Sequence, residues 1–413
     1  MGIFLLSFIK NSQEKKFLWK MFLTGFGIRL LLIIIMSLDC VKAYSIGCGL
    51  FWPDEMFYHK TAMTFIEAWR HGSKPNLIVS DNYLGFIYYV SAIYYVFGNH
   101  PIIVKIFNSF ISIMICFLVY CIAGRLYNKK IAKKATWMAI IFPSLISYSC
   151  FVLKDILIIF FMTLCVWALI SQKDHRLLSW LTIGLCFVAL HYLRIPMTWI
   201  LLLVCIAYFI ICVSFPKVIK IGVIFLALFL IPYMPLNFQS FLKEQVYSRH
   251  LIYTRSLSKT SLYNVFGGRM SINIFNLHSL LMAFLFVILV PFPLWVLINP
   301  NFSTLVNLPE ALFWYGIIPY ALVGIIHSIR ERKMESLLIL VFICIMVFMI
   351  SVACLGTVES ARYRAPIEPM VIIFSAAGMH LAGKNFFKFG IPFYICTLTF
   401  WGAVYLFLKL CYL

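Results

Sequence analysis

The sequence predicts an all-α integral membrane protein with about eleven transmembrane helices and additional interfacial or re-entrant helices. Of its 413 residues, 63% are hydrophobic and only 12% are charged, which is more apolar surface than a soluble domain can bury. Apolar runs of about 17–25 residues, long enough to cross a bilayer as helices, recur along the chain. We therefore expect one transmembrane domain over residues 1–413, with outer loops at about 42–101, 233–274 and 355–369.

Lysine and arginine clusters assign the two sides of the membrane, because such residues favour cytoplasmic loops. The cluster of Lys10, Lys15, Lys16 and Lys20 places the N-terminus in the cytoplasm, and the loop at 124–135 carries five cations and no acid. The net charge of +20 comes largely from such short loops, so nucleic acid is not an expected partner.

Only one crossing fits between the first span, at about 21–41, and the cytoplasmic loop at 124–135. The run 102–123 is long enough to be that crossing, so the Tyr-rich stretch 84–98 is expected to lie in the headgroup layer. The alternative, a short true span at 84–98, would turn the five-cation loop outward. Further spans are expected at 135–153, 156–171, 177–193, 197–213, 218–232 and 311–328. One more span is expected on each side of the loop at 355–369, and a final one at the C-terminus. The run 275–298 is expected to re-enter the membrane without crossing it.

Ionisable residues inside or beside these spans gather on the predicted outer face. They are Asp54 and Glu55, Lys154 and Asp155, His191 and Arg194, the basic loop at 237–273 that includes Arg269, and the group Glu359, Arg362, Arg364 and Glu368. A charge beside the bilayer core is costly and is by default a functional candidate. Any single one of them could instead snorkel or form a structural pair, but five clusters on one side favour a functional site.

The residue types suit a reaction on a lipid-borne phosphate at the membrane surface. A carboxylate such as Asp54 can accept a proton from a hydroxyl group or hold a divalent cation such as Mg²⁺ or Mn²⁺. Arg362 and Arg364 suit bidentate binding of a departing phosphate. Asp155 could steady the acceptor or a cation, or it could simply pair with Lys154. No CxxC or CxxH pair suggests a metal site, and the need for a metal stays open.

Three segments carry a resemblance to a known family. They are "PDEMFYHKTA" at 53–62, the stretch 107–161 that ends with the pair Lys154-Asp155 and the span after it, and "ESARYRAPIEPMVIIFSAAG" at 359–378. Their order and predicted side resemble the GT-C superfamily of polytopic glycosyltransferases, especially relatives of the protein O-mannosyltransferases and the lipid A aminoarabinose transferases. The resemblance covers roughly the first 200 residues and the last 60.

This resemblance implies a sugar donor carried on polyprenyl phosphate and a single inverting displacement at the outer face of the cytoplasmic (inner) membrane. By the same resemblance, Asp54 is the general base, Glu55 completes the first acidic motif as a further catalytic residue, Asp155 is the second acid, and Arg362 and Arg364 lie near the donor phosphate. A large soluble domain is absent from the sequence, which favours a cell-envelope glycan or glycolipid as the acceptor. Further substrate-binding candidates are Tyr58, which could stack on a sugar, His59, Lys154, Arg194 and Arg269.

Two other functions remain as alternatives. A surface-polysaccharide polymerase or ligase that uses diphosphate-linked oligosaccharides would suit the basic loop at 237–273. A flippase or transporter of lipid-linked sugars would move its substrate without cleaving a bond. Transport folds usually show internal repeats and helices broken at mid-membrane, and the sequence shows no clear repeat.

Overall fold

The computed structural model describes residues 12–38, 49–75, 81–172, 174, 176–212, 287–288, 302–331, 333–354 and 360–383, with the isolated positions 392, 395 and 399. The regular elements in these ranges are helices. The predicted all-α class is therefore confirmed for the described residues. The helices are α1 (Ser12–Met36), α2 (Pro53–Arg70), α3 (Asp81–Phe97), α4 (Pro101–Leu126), α5 (Lys129–Ile141), α6 (Pro143–Cys150), α7 (Asp155–Ser171), α8 (Arg176–Leu193), α9 (Ile195–Cys212), α10 (Phe302–Arg330), α11 (Met334–Cys354), α12 (Ser360–Arg364) and α13 (Glu368–Ala382), with a 3₁₀ turn at Ala365–Ile367.

Six helical stretches within the described ranges are long and apolar enough to cross a membrane, judged by length and composition. They are Ser12–Met36, Pro101–Leu126, Arg176–Leu193, Ile195–Cys212, Leu308–Arg330 and Arg362–Ala382, and two shorter apolar stretches are Asp155–Ser171 and Met334–Val347. The chain is thus a helical membrane protein. The total of eleven spans stays a prediction, because the expected span at 218–232 and the loop at 233–274 with Arg269 lie outside the described residues, as do nearly all of 275–298 and of the chain after 383.

The helix α3, Asp81–Phe97, covers the stretch that we expected in the headgroup layer. It has 17 residues and is not among the six helical stretches of the described ranges that are long and apolar enough to cross a membrane. Its interfacial position stays a prediction.

The chain divides into two compact units, Met1–Leu201 and Leu202–Leu413. The expectation of one domain over the whole chain stays a prediction. In the first unit α4 is central, since it packs against α1, α5, α6 and α7. In its most apolar stretch, 61% of the residues are buried inside the protein, against 28% for α1. A helix surrounded in this way can carry polar side chains into the interior.

The stretch 135–153, predicted as one span, is not a continuous helix, because the chain breaks there into α5 and α6; its crossing of the membrane stays a prediction. Pro143 starts α6, and Phe142 before it is extended, with φ −66° and ψ 118°. Proline has no N–H to donate and disfavours helical geometry in the residue before it, which accounts for the break between α5 and α6 at this position.

Arg29 of α1 supplies partners at this break. Its guanidinium is fully buried and donates to Ser112 Oγ (3.0 Å), to the carbonyl of Gly25 (3.0 Å) and to the carbonyl of Ile140 (3.4 Å) near the end of α5. A backbone carbonyl freed from a helix inside an apolar environment needs such a donor. Arg29 therefore ties α1 to α4 and to the break between α5 and α6.

In the second unit, α10 and α13 cross with their backbones in close contact. A Cβ atom added at Gly324 of α10 would overlap the carbonyl oxygen of Phe374, and one at Gly378 of α13 would overlap the carbonyl oxygen of Tyr320. Small residues at a helix crossing allow this approach, which maximises dispersion contacts between helices in a membrane. The two glycines thus fix how close α13 lies to α10.

Candidate functional site

Asp54 lies in the first turn of α2, and the local sequence explains why the helix begins there. Pro53 occupies the first helical position, where its missing N–H costs nothing, and Trp52 before it is extended. Glu55, two positions after Pro53, accepts the N–H of Trp52 (3.1 Å), as in the reciprocal half of a capping box. Asp54 is half-buried, and a carboxylate in a first turn is favoured by the helix dipole.

Glu55 points into the protein, whereas the predicted catalytic role requires contact with a substrate. Its side chain is fully buried, and it accepts the N–H groups of Phe51 (2.8 Å) and Trp52 (3.1 Å) at Oε2 and the N–H of Val152 (2.6 Å) at Oε1. Burial raises the pKa of Glu55, while Lys105 and the three N–H donors oppose that rise. A carboxyl group with its oxygens taken in this way is poorly placed to act on a substrate, which argues against the predicted catalytic role.

Lys105 and Asn108, two polar side chains of α4, contact the backbone before α2 and before α7. Neither was predicted from the sequence as a site residue. Lys105 Nζ donates to the carbonyl of Gly49 (2.9 Å), where a φ of 70° favours glycine. Asn108 Nδ2 donates to the carbonyls of Phe151 (3.0 Å) and Leu153 (3.5 Å). The available signal was their spacing, because two polar residues three positions apart on an apolar helix share a face.

Asp155 begins α7 and is buried. Its Oδ1 accepts a hydrogen bond from Arg194 Nη2 (3.3 Å), and the side chains are 3% and 11% exposed. The sequence left open a pairing between Asp155 and Lys154, and the structure shows an ion pair between Asp155 and Arg194. Two predicted site residues that are 39 positions apart are therefore brought together.

Lys154 is buried and serves a different contact. Its Nζ donates to the carbonyls of Asn82 (2.6 Å) and Leu193 (3.0 Å), and it lies 4.1 Å from the centroid of the Tyr83 ring. The side chain of Asn82 in turn accepts the N–H of Ile195 (3.0 Å). Lys154 thus joins the start of α3 to the corner between α8 and α9, and its predicted contact with substrate is not supported by this position.

Tyr58 and His59 pack between α2 and α3. Tyr58 is 1% exposed, and its ring meets Phe86 edge-on with centroids 4.7 Å apart. His59 is half-buried, with Nδ1 3.0 Å from Tyr94 Oη, and burial, followed by the nearby charge of Lys60, lowers its pKa. Both residues stabilise the α2–α3 packing, and stacking of Tyr58 on a sugar is at odds with its burial.

In the second unit, Arg364 lies in a buried charged cluster. Its Nη2 donates to Glu310 Oε1 (3.1 Å), its Nε lies 3.9 Å from Glu368 Oε1, and its guanidinium carbon lies 3.9 Å from the centroid of the Trp314 ring. Arg364 and Glu368 are 0% exposed and Glu310 is 4% exposed. These contacts occupy Arg364 inside the unit, which argues against the predicted contact with a phosphate. Arg362, in the same short helix α12, is half-buried.

A divalent cation finds little support in the described part of the chain. No group of three or more His, Cys, Asp or Glu side chains that could hold a metal ion occurs in the described ranges. Asp155, the second acid, is engaged by Arg194. Within the described ranges, no Mg²⁺ or Mn²⁺ site formed by protein ligands is found, and the need for a divalent cation stays a prediction.

The described residues define an all-helical membrane protein whose first unit pairs Asp155 with Arg194 and links, through Glu55, the segments that precede Asp54 and Asp155. No protein-family model matches the chain, and no curated protein matches its sequence. The apo form of the Archaeoglobus fulgidus oligosaccharyltransferase is a solved structure similar to this chain, with a TM-score of 0.46 and 14% identity over 86% of this chain and 50% of the other. The chain therefore spans half the length of that structure, and at this level the similarity carries no functional conclusion.

Proposed function

We propose that this protein is a membrane glycosyltransferase that moves a sugar from a polyprenyl-phosphate carrier to a cell-envelope glycan or glycolipid, at the outer face of the cytoplasmic membrane. The observation that carries the proposal is the direct link between the two acidic helix starts. Glu55 accepts the N–H of Trp52 just before Asp54 and that of Val152 three residues before Asp155. Two carboxylates held in fixed positions beside a membrane suit acid–base chemistry on a lipid-borne substrate.

The proposed reaction is one inverting displacement. An acceptor hydroxyl attacks the anomeric carbon of the donor sugar, Asp54 takes the hydroxyl proton, and the bond from that carbon to the phosphate oxygen breaks. The bonding electrons leave with polyprenyl phosphate. Asp155, oriented by Arg194, positions the acceptor.

The proposal is tested with purified protein, a radiolabelled polyprenyl-phosphate sugar and a membrane extract as the source of acceptor. Asp54→Asn keeps the size of the side chain and removes its basicity, so transfer should fall by about 100-fold or more. Glu67→Gln, an exposed acid on the same helix, is the matched control and should transfer sugar at the wild-type rate.

Each other outcome points to a specific failure. Unchanged transfer by a folded Asp54→Asn variant would remove Asp54 as the base. Movement of the carrier across vesicles without cleavage of the sugar–phosphate bond would favour a flippase. Transfer of diphosphate-linked oligosaccharides but not of monophosphate-linked sugars would favour a polymerase or ligase.

A further inference from the structure

The contacts of Glu55 join the segment before its own helix to a second segment around Val152, which lies 97 positions after Glu55. One segment, residues 49–52, precedes α2 and Asp54, and the other, residues 151–154, precedes α7 and Asp155. Both segments are non-helical, and several of their backbone groups, such as the N–H groups of Phe51 and Val152 and the carbonyl of Gly49, bond to side chains instead. Buried backbone N–H and carbonyl groups need other partners, especially beside a membrane, where water is scarce.

Glu55, Lys105 and Asn108 supply those partners together. Glu55 accepts the N–H groups of the two segments, Lys105 donates to the first segment at Gly49, and Asn108 donates to the second at Phe151. Tyr89 Oη donates to Asn108 Oδ1 (3.1 Å), which leaves the amide nitrogen of Asn108 directed at the carbonyls. All three side chains are buried, with exposures of 0% for Glu55 and Asn108 and 4% for Lys105.

We propose that Glu55, Lys105 and Asn108 form an interior clamp that fixes the position of Asp54 relative to Asp155, so that Glu55 is a positioning residue and not a second base. The catalytic part of this inference rests on the proposed function, because it assumes that Asp54 and Asp155 act on the substrate. The structural part, a coupling between the two segments, stands independently of any activity.

The chemistry of the side chain explains why position 55 needs a carboxylate. A carboxylate accepts hydrogen bonds at both oxygens, whereas a glutamine amide accepts at one and carries an NH₂ group at the other. Glu55→Gln would therefore place a donor against a backbone N–H and would leave at least one N–H without an acceptor. It would also leave Lys105 without the negative charge that lies near it.

Hydrogen exchange of the full-length protein in lipid nanodiscs tests the clamp without any assay of activity. In Glu55→Gln, at least one of the peptides covering 49–56 and 150–156 should exchange about tenfold faster or more, since a lost hydrogen bond to a charged group shifts the opening equilibrium by at least that factor. Asn108→Ala should release 150–156 more than 49–56. The exposed controls Glu67→Gln and Asn99→Ala should leave both peptides at the wild-type rate.

Wild-type exchange in both peptides of Glu55→Gln would overturn the clamp. A second variant keeps the test decisive if Glu55→Gln does not fold. Glu55→Asp keeps the charge but shortens the side chain by one carbon, so it can still accept the N–H groups of its own helix start and cannot reach Val152. It should release 150–156 alone, and equal protection of that peptide in Glu55→Asp and wild type would also overturn the clamp.

Kinetics separate positioning from proton transfer. Glu55→Asp should lower kcat by about 10- to 100-fold with little change in KM, as expected when reacting groups are displaced by about 1 Å. The acid limb of the pH–rate profile should remain in Glu55→Gln, because Asp54 is the proposed base, and loss of that limb in Glu55→Gln would identify Glu55 as the base. If the wild-type protein transfers no sugar, the proposed function fails, while hydrogen exchange still decides the clamp.

Discussion

The two units each bury a charged cluster, and they satisfy its charge in different ways. In the first unit, Glu55 is surrounded by backbone N–H groups of two non-helical segments, with Lys105 nearby. In the second unit, Arg364 is surrounded by the carboxylates of Glu310 and Glu368 and by the face of Trp314. The first cluster positions loops, and the second joins helices α10, α12 and α13.

This difference separates the consequences of mutation in the two units. A carboxylate bonded to backbone N–H groups fixes local geometry. Its loss should therefore displace a few residues and change the reactivity of the groups that they position. A buried arginine between carboxylates balances charge, so its loss leaves uncompensated charges in the core. We therefore expect the second cluster to control the stability of its unit and the first to control the geometry of the candidate site.

The largest expected effect comes from breaking the second cluster. Arg364→Met removes the cation between Glu310 and Glu368, and loss of one partner of a buried ion pair typically costs about 3–5 kcal/mol. The free energy of unfolding, followed by titration of SDS into mild detergent, should fall by that amount. Arg330→Met, at the exposed end of α10, is the control and should change it by less than about 0.5 kcal/mol.

Charge balance can be tested separately from packing. Adding Glu310→Gln and Glu368→Gln to Arg364→Met removes all three charges, so most of the lost stability should return. A triple variant no more stable than Arg364→Met would show that the arginine acts through its stacking on Trp314 and not through its charge.

A smaller effect is expected from the glycine contact that brings α13 against α10. Gly324→Ala inserts a methyl group against the backbone of Phe374 and should cost about 1–3 kcal/mol through overpacking. Gly316→Ala lies on the same helix in open space and should be neutral or stabilising by up to about 1 kcal/mol. Equal effects in the same detergent titration would mean that the close crossing does not contribute to the stability of the second unit.

The smallest effect is a pH dependence in the first unit. Because burial lowers the pKa of His59, the unfolded chain takes up the proton first as the pH falls below about 6.5. The stability contributed by the neutral ring, which can accept from Tyr94 Oη, is thus present above that pH and lost as the pH falls through the folded pKa. The unfolding midpoint should drop between pH 7.5 and 5.5 in wild type and drop less in His59→Gln.

His71→Gln serves as the control for that measurement, since His71 is exposed at the end of α2. It should show the wild-type pH dependence. An identical dependence in His59→Gln would assign the pH effect to groups other than the His59–Tyr94 contact.

Sequence patterns anticipated the membrane class and many helix positions, because length and apolar composition are local properties. The predicted runs 102–123 and 177–193 lie within α4 and α8, whereas Pro143 divides the run 135–153 into two helices. The sequence also selected Asp54 and Asp155. It could not assign Glu55 a structural role, since the N–H of Val152 that it accepts is distant in the sequence.

The sequence by itself determined that this chain is a helical membrane protein with scarce, clustered charges, because hydrophobic length and charge cost act on each segment independently. Only the tertiary structure decided which of those charges are engaged inside the protein. Adjacent residues received opposite environments: Asp54 is half-buried, while Glu55 is enclosed by backbone donors from two segments. The direction of a side chain on a helix depends on what packs against each face, and that is decided by residues distant in the chain.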